Sequence, residues 1–143
     1  MPTSGERDPD LLVDTSVAVA LAVADHQHHA ATFAALADRR LGLAGHAAFE
    51  TFSVLTRLPP PARRTPATVA RLLRDGFPHT RFLSADAATA LVGRLASGDI
   101  AGGAVYDALV GAAAAEHGVT LATRDRRALD MYRSLDVVVE LIA

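Results

Sequence analysis

A chain of 143 residues, half of them hydrophobic, is long enough for one domain with a sizeable core and too apolar to stay disordered. It has no cysteine, which excludes disulfides, thiolate zinc sites and cysteine nucleophiles and suits a reducing cytoplasm. The formal net charge of −2 rules out a broadly basic nucleic-acid-binding protein, so any such role must rest on local charge.

Residues 1–10 are polar, contain Pro2, Gly5 and Pro9, and read as a flexible tail, leaving 11–143 as a single domain. No signal-peptide pattern is evident, and no apolar run approaches the roughly 18 residues that span a bilayer. The short apolar run 11–13 stops at Asp14 and reads as a buried strand; 41–44, 81–83, 119–122 and 137–142 read likewise, with 81–83 the weakest. Ser16 is a candidate N-cap for a helix over 17–24. Helical spacing recurs over 28–39 and over 46–57, where Phe49, Phe52 and Leu55 are assigned to the core face. Pro59, Pro60 and Pro61 break the chain. Thr65 followed by Pro66 then starts a helix through Asp75. Further helices are expected over 84–96 and 104–117, the second ended by Gly118. Strands alternating with helices imply an α/β fold with a parallel sheet covered by helices.

There is no lysine, and every basic residue is an arginine. From Arg57 to Arg81 lie Arg63, Arg64, Arg71 and Arg74, with Asp75 as the one acid. This run is either a solvated helix face or a surface that contacts phosphates.

In open parallel sheets, ligands gather beyond the carboxyl ends of the strands. Asp14 ends the first strand, and Asp125 lies just past the strand 119–122. Asp107 stands in the first turn of the helix feeding that strand, among Gly103, Ala104, Val110 and Gly111, an odd setting for a solvent-facing acid. Glu50 belongs to the helix after 41–44, with Ala47, Ser53 and Val54 one turn away. Taken singly, Asp14 and Asp125 suit N-caps, and Glu50 suits a pair with Arg57. Together, the topology brings the four acids to one sheet edge. Two carboxylates about 5 Å apart repel by roughly 3 kcal/mol at an effective dielectric near 20, and a divalent cation removes that penalty. Oxygen ligands suit Mg²⁺ or Mn²⁺, whose natural chemistry here is phosphodiester hydrolysis.

Four segments, LLVDTSVAVAL, HAAFETFSVLTRLP, GGAVYDALVGAAAAEHG and LATRDRRAL, occur in the order found in the PIN-domain ribonucleases. Residues 11–143 resemble that family, specifically the VapC-type toxins of bacterial toxin–antitoxin pairs. The resemblance implies a three-layer α/β/α fold and a Mg²⁺- or Mn²⁺-dependent endoribonuclease that cuts structured RNA such as tRNA or rRNA. It also implies a cognate VapB-type antitoxin and a homodimer. Asp14, Glu50, Asp107 and Asp125 match the family's acids, and Thr15, Ser16 and Thr123 match neighbouring hydroxyl positions. Asp14 and Asp107 are then the principal metal ligands, Glu50 binds the metal directly or through water and helps orient the attacking water, and Asp125 completes the site. Arg57, Arg63, Arg64, Arg124 and Arg126 are the candidates for holding the RNA backbone.

His26, His28 and His29 cluster at a helix start but read as exposed rather than as a zinc site. His46 lies one turn before Glu50 and reads as a cap or surface residue. An aspartyl-nucleophile phosphatase would need an acid at Ser16 and a lysine; a P-loop would need a Gly-rich stretch ending in Lys. The remaining alternative is a non-catalytic PIN-like module that binds RNA or protein.

Overall fold

The computed structural model describes residues 8–143. Four strands form one parallel sheet in the order β2-β1-β3-β4: β1 Leu11–Val13, β2 Leu41–Leu43, β3 Leu121–Thr123 and β4 Val139–Leu141. The chain steps from β1 to β2 on one side and returns to β3 on the other. The switch point therefore falls between β1 and β3, where a crevice opens beyond the strand ends.

Side chains alternate across the sheet. Leu12 and Leu121 face one apolar layer with Ala108, Val110, Ala114 and Tyr132. Leu11, Val13 and Ala122 face the other, with Val17, Leu36, Leu43 and Phe77. The first layer is built from α6 (Ala104–His117) and α7 (Leu129–Ser134), the second from α1 (Thr15–Ala22), α2 (His29–Leu36) and α4 (Pro66–Gly76). Helix α3 (Ala47–Thr56) packs against α1 and α4, and α5 (Ala85–Ser97) against α6. This is a three-layer α/β/α fold.

Several helix ends lie where their residues require. Thr65 accepts from the Thr68 amide at 3.2 Å with Pro66 in the first turn, and Ser84 accepts from the Ala87 amide at 3.2 Å. Gly118 closes α6 with φ of +64°. Other expectations need correction. Asp14, not Ser16, caps α1. The segment 81–83 is no strand: Arg81 makes a single parallel bridge to Ala44. In α3 the buried stripe is Ala47, Thr51 and Leu55, and Phe49 is 63% exposed. The four-residue spacing turns Ala47, Thr51 and Leu55 inward and leaves the Phe49 ring outside. Of the expected tail, residues 1–7 lie outside the described residues. Asp8 and Asp10 are pinned to Arg40, through its Nε to the Asp8 carbonyl at 3.0 Å and its amide to the Asp10 carboxylate at 2.8 Å. No described helix is long and apolar enough to cross a membrane.

Candidate active site

Asp14 leaves the end of β1 and is 4% exposed. Its Oδ1 accepts from the Ser16 hydroxyl at 2.6 Å and from the Val17 amide at 3.2 Å. Its Oδ2 accepts from the Thr123 hydroxyl and from the Tyr132 hydroxyl at 3.0 Å. Four donors thus occupy the roughly four acceptor positions of one carboxylate. Burial pushes this carboxyl above the ordinary range, while the hydrogen bonds from Ser16, Thr123, Val17 and Tyr132 pull it back.

Glu50 and Asp107 are held differently. Both are partly buried, and among the described residues neither carboxylate accepts a hydrogen bond. Burial pushes Glu50 up; His46 pulls it down, and Asp107 and Asp14 push it further up. Burial pushes Asp107 up as well, reinforced by Asp125 and Asp14 and opposed by Arg127. Glu50 and Asp107 thus each feel the charge of neighbouring carboxylates. Asp125 caps the short 3-10 turn Arg126–Ala128, accepting from the Arg127 amide at 3.0 Å and pairing with Arg127 Nε at 3.3 Å. All four line one cavity of about 100 Å³, together with Thr15, Ser16, Val110 and Tyr132.

Tyr132 did not stand out in the sequence. It is 2% exposed, and burial and the Asp14 charge push its hydroxyl far up, so it remains a proton donor. Its ring presses on Gly111 of α6, where a Cβ would meet the ring at 3.1 Å. A signal was present: Ala128, Tyr132 and Leu135 share one helix face, and a buried tyrosine hydroxyl needs a partner.

The hydroxyls fall into two kinds. Ser16 and Thr123 are committed: Ser16 Oγ also accepts from the Arg124 amide at 2.9 Å, and Thr123 Oγ1 from the Asp125 amide at 3.0 Å. Thr15 Oγ1 is buried with no partner among the described residues, as is Thr51 Oγ1, and Thr15 lines the cavity. An orphaned hydroxyl beside mutually repelling carboxylates is a donor set made only of oxygen, which fits a hard dication such as Mg²⁺ or Mn²⁺. Among the described residues no three His, Asp or Glu side chains form a ready-made ligand group. The engagement of Asp14 and Asp125 with their donors agrees with that.

The arginines divide similarly. Arg124 Nη1 donates to Thr32 Oγ1 at 3.0 Å and to the Ala143 carbonyl at 2.8 Å, so it clasps α2 and the end of the chain. Arg64 donates to the carbonyls of Ala62 and Ala22. Both are thus engaged by oxygens of the fold itself. Arg63 Nε donates to the Leu58 carbonyl at 2.9 Å. Arg57 and Arg126 are exposed, and Arg57 shares a cavity with Glu50. His46 makes no side-chain cap bond; its ring stacks on Tyr106. Among the triplet, His29 Nδ1 lies 2.9 Å from the Ala20 carbonyl and His26 Nδ1 accepts from the His28 amide at 3.0 Å.

The family model of the PIN domain matches residues 11–134. The chain is 51% identical to Ribonuclease VapC27 of Mycobacterium tuberculosis (strain ATCC 25618 / H37Rv), over 94% of this chain and 98% of the relative. It is 47% identical to Ribonuclease VapC40 of M. tuberculosis (strain CDC 1551 / Oshkosh), over 90% and 96%. Both the matched span and the cavity at the switch point of a parallel sheet lead to one assignment: the chain belongs to the PIN-domain family and, within it, to the VapC proteins.

Proposed function

We propose that this protein is a metal-dependent endoribonuclease toxin that cuts structured RNA, such as tRNA or rRNA, and is neutralised by a cognate VapB-type antitoxin. One observation carries the reading: four acids from separate parts of the chain line a single small cavity, where burial and neighbouring carboxylates raise Glu50 and Asp107. The naming of the relatives as ribonucleases supports it. Glu50 and Asp107, with Asp14 exchanging one of its hydrogen bonds for the ion and Asp125 at the rim, would hold Mg²⁺ or Mn²⁺. A bound dication supplies neutralisation of phosphate charge and a more acidic water.

The chain's own groups do the rest. Asp14 is fixed by Ser16, Val17, Thr123 and Tyr132, so one carboxylate keeps its place as RNA enters and leaves. Glu50, free of hydrogen bonds and more basic than an ordinary glutamate, orients the attacking water and accepts its proton on a carboxylate oxygen. The water oxygen bonds to phosphorus, the bond from phosphorus to the 3′ oxygen breaks, and that oxygen takes a proton from solvent, so the products carry a 5′-phosphate and a 3′-hydroxyl. Work in the cytoplasm, as a homodimer, belongs to the same proposal.

The test incubates the purified protein, free of antitoxin, with total bacterial RNA, with and without Mg²⁺ or Mn²⁺, and maps new 5′ ends. Asp107→Asn is the control, because Asp14 also supports the fold. Discrete cuts that need metal and vanish in the variant are expected. Absence of cuts from the folded protein in either metal would overturn the nuclease reading and favour a binding module.

A further inference from the structure

Three of the large apolar side chains left exposed stand together beside the acids: Phe49, Phe82 and Tyr106, at 63%, 52% and 51%. His46 joins them into a row. The ring centres of His46 and Tyr106 lie 5.2 Å apart with planes 18° from parallel, those of His46 and Phe49 6.2 Å apart, and those of Phe49 and Phe82 5.9 Å apart. The row borders a cavity of about 410 Å³, within the range of about 300–1,000 Å³ common for small-ligand sites. Glu50 lines this cavity and the acid cavity alike, and Tyr106 precedes Asp107 in the chain. Arg57 supplies a cation on the same wall.

From this placement we infer that the cavity is a stacking subsite for one base of single-stranded RNA next to the scissile phosphate. The base lies against Tyr106 and Phe49, and the adjoining backbone phosphate lies toward Arg57. The inference rests on the ribonuclease reading and specifies where the substrate is gripped. A nucleotide flanking the reacting phosphate must lie beside the acid cavity, and the cavity sharing Glu50 offers flat rings there. Aromatic faces with a nearby arginine are what unpaired bases and their backbone bind, and any base can use them.

The rings are exposed, so Tyr106→Leu and Phe49→Leu leave the fold intact. The probe is a ten-nucleotide single-stranded RNA carrying 2-aminopurine at successive positions, titrated with the protein in Mg²⁺. Quenching at one position is expected, weakened about 5- to 100-fold in affinity by Tyr106→Leu, as for loss of one stacked base, and restored by Tyr106→Phe. On cleaved RNA, KM rises by a similar factor while kcat changes little. Quenching that depends on Tyr106 in a protein that cuts nothing would support the subsite and defeat the nuclease reading. Cleavage with KM and quenching unchanged in both leucine variants would overturn the subsite and leave the nuclease standing. A Phe49→Leu protein that sediments as a monomer where the parent is a dimer, with RNA binding unaltered, would overturn it in favour of a face between copies.

Discussion

The two walls of the acid cavity are built on opposite terms. On the sheet side, Asp14 is held by four donors and caps α1, so its carboxylate serves the fold. On the helix side, Glu50 and Asp107 project from α3 and α6 with burial and like charge against them and no hydrogen bond to offset either. The same residue type therefore stabilises at one wall and costs stability at the other. Acids placed where they cost stability are the mark of a site shaped by function.

Several measurements test this contrast. The largest effect is on cleavage: Asp107→Asn and Glu50→Gln each lower it by at least about 100-fold, more than loss of an outer metal contact typically does. Calorimetry on the metal-free proteins separates the walls next. Asp14→Ala removes a helix cap and leaves the buried Tyr132 hydroxyl without an acceptor, at a cost of about 2–4 kcal/mol. Equal losses from Asp14→Ala and Asp107→Ala would erase the distinction. Tyr132→Phe removes one hydrogen bond to a charged group, worth about 1–2 kcal/mol, and should also weaken Mg²⁺ binding by isothermal titration, since Asp14 loses a positioning contact. On the other wall, Asp107→Asn should raise the metal-free melting temperature by about 2–4 °C, equivalent to somewhat under 1 kcal/mol. Saturating Mg²⁺ should then reverse the order, because the parent gains from the ion what the variant cannot.

The smallest effect is on pH. In Asp14, Glu50 and Asp107 the folded carboxyls lie above their ordinary values, so the native state binds more protons than the unfolded chain between those two levels. Metal-free stability from these groups therefore falls as pH rises through that window and levels off above it. Thermal melts in chelator should show the decline, with a shallower slope for Asp107→Asn; a parent profile that climbs through the same window would contradict the shifts.

Much of this was legible in the sequence, for identifiable reasons. Thr65–Pro66, Ser84 and Gly118 mark helix ends because capping chemistry is local. The four acids share one edge because the order of strands and helices dictates it. What stayed hidden depended on partners far along the chain. Asp14 outcompeted Ser16 as a cap because Ser16 is drawn to Arg124, 108 positions away. Arg124 turned inward because Thr32 and Ala143 lie within its reach. Phe49 misled by its size, since Ala47, Thr51 and Leu55 already fill the stripe that faces inward. Tyr132 was missed because its partner lies 118 positions earlier, although its helical spacing placed it in the core.

The edge of the sheet at β2 carries a consequence for how the protein survives at high concentration. The stretch 79–81 runs alongside this strand: the His79 amide donates to the Leu41 carbonyl at 3.1 Å, the Leu43 amide to Thr80 Oγ1 at 2.9 Å, and the Arg81 amide to the Leu43 carbonyl at 3.2 Å. An uncovered edge is a template on which foreign strands assemble. Here its hydrogen bonds are already taken, and they are taken only because Gly42 has no side chain: a Cβ there would collide with the His79 carbonyl. A single methyl group would lift the strap and turn the border of the sheet into a seed for aggregates. Gly42 is thus a guard on solubility that enzyme assays would never detect.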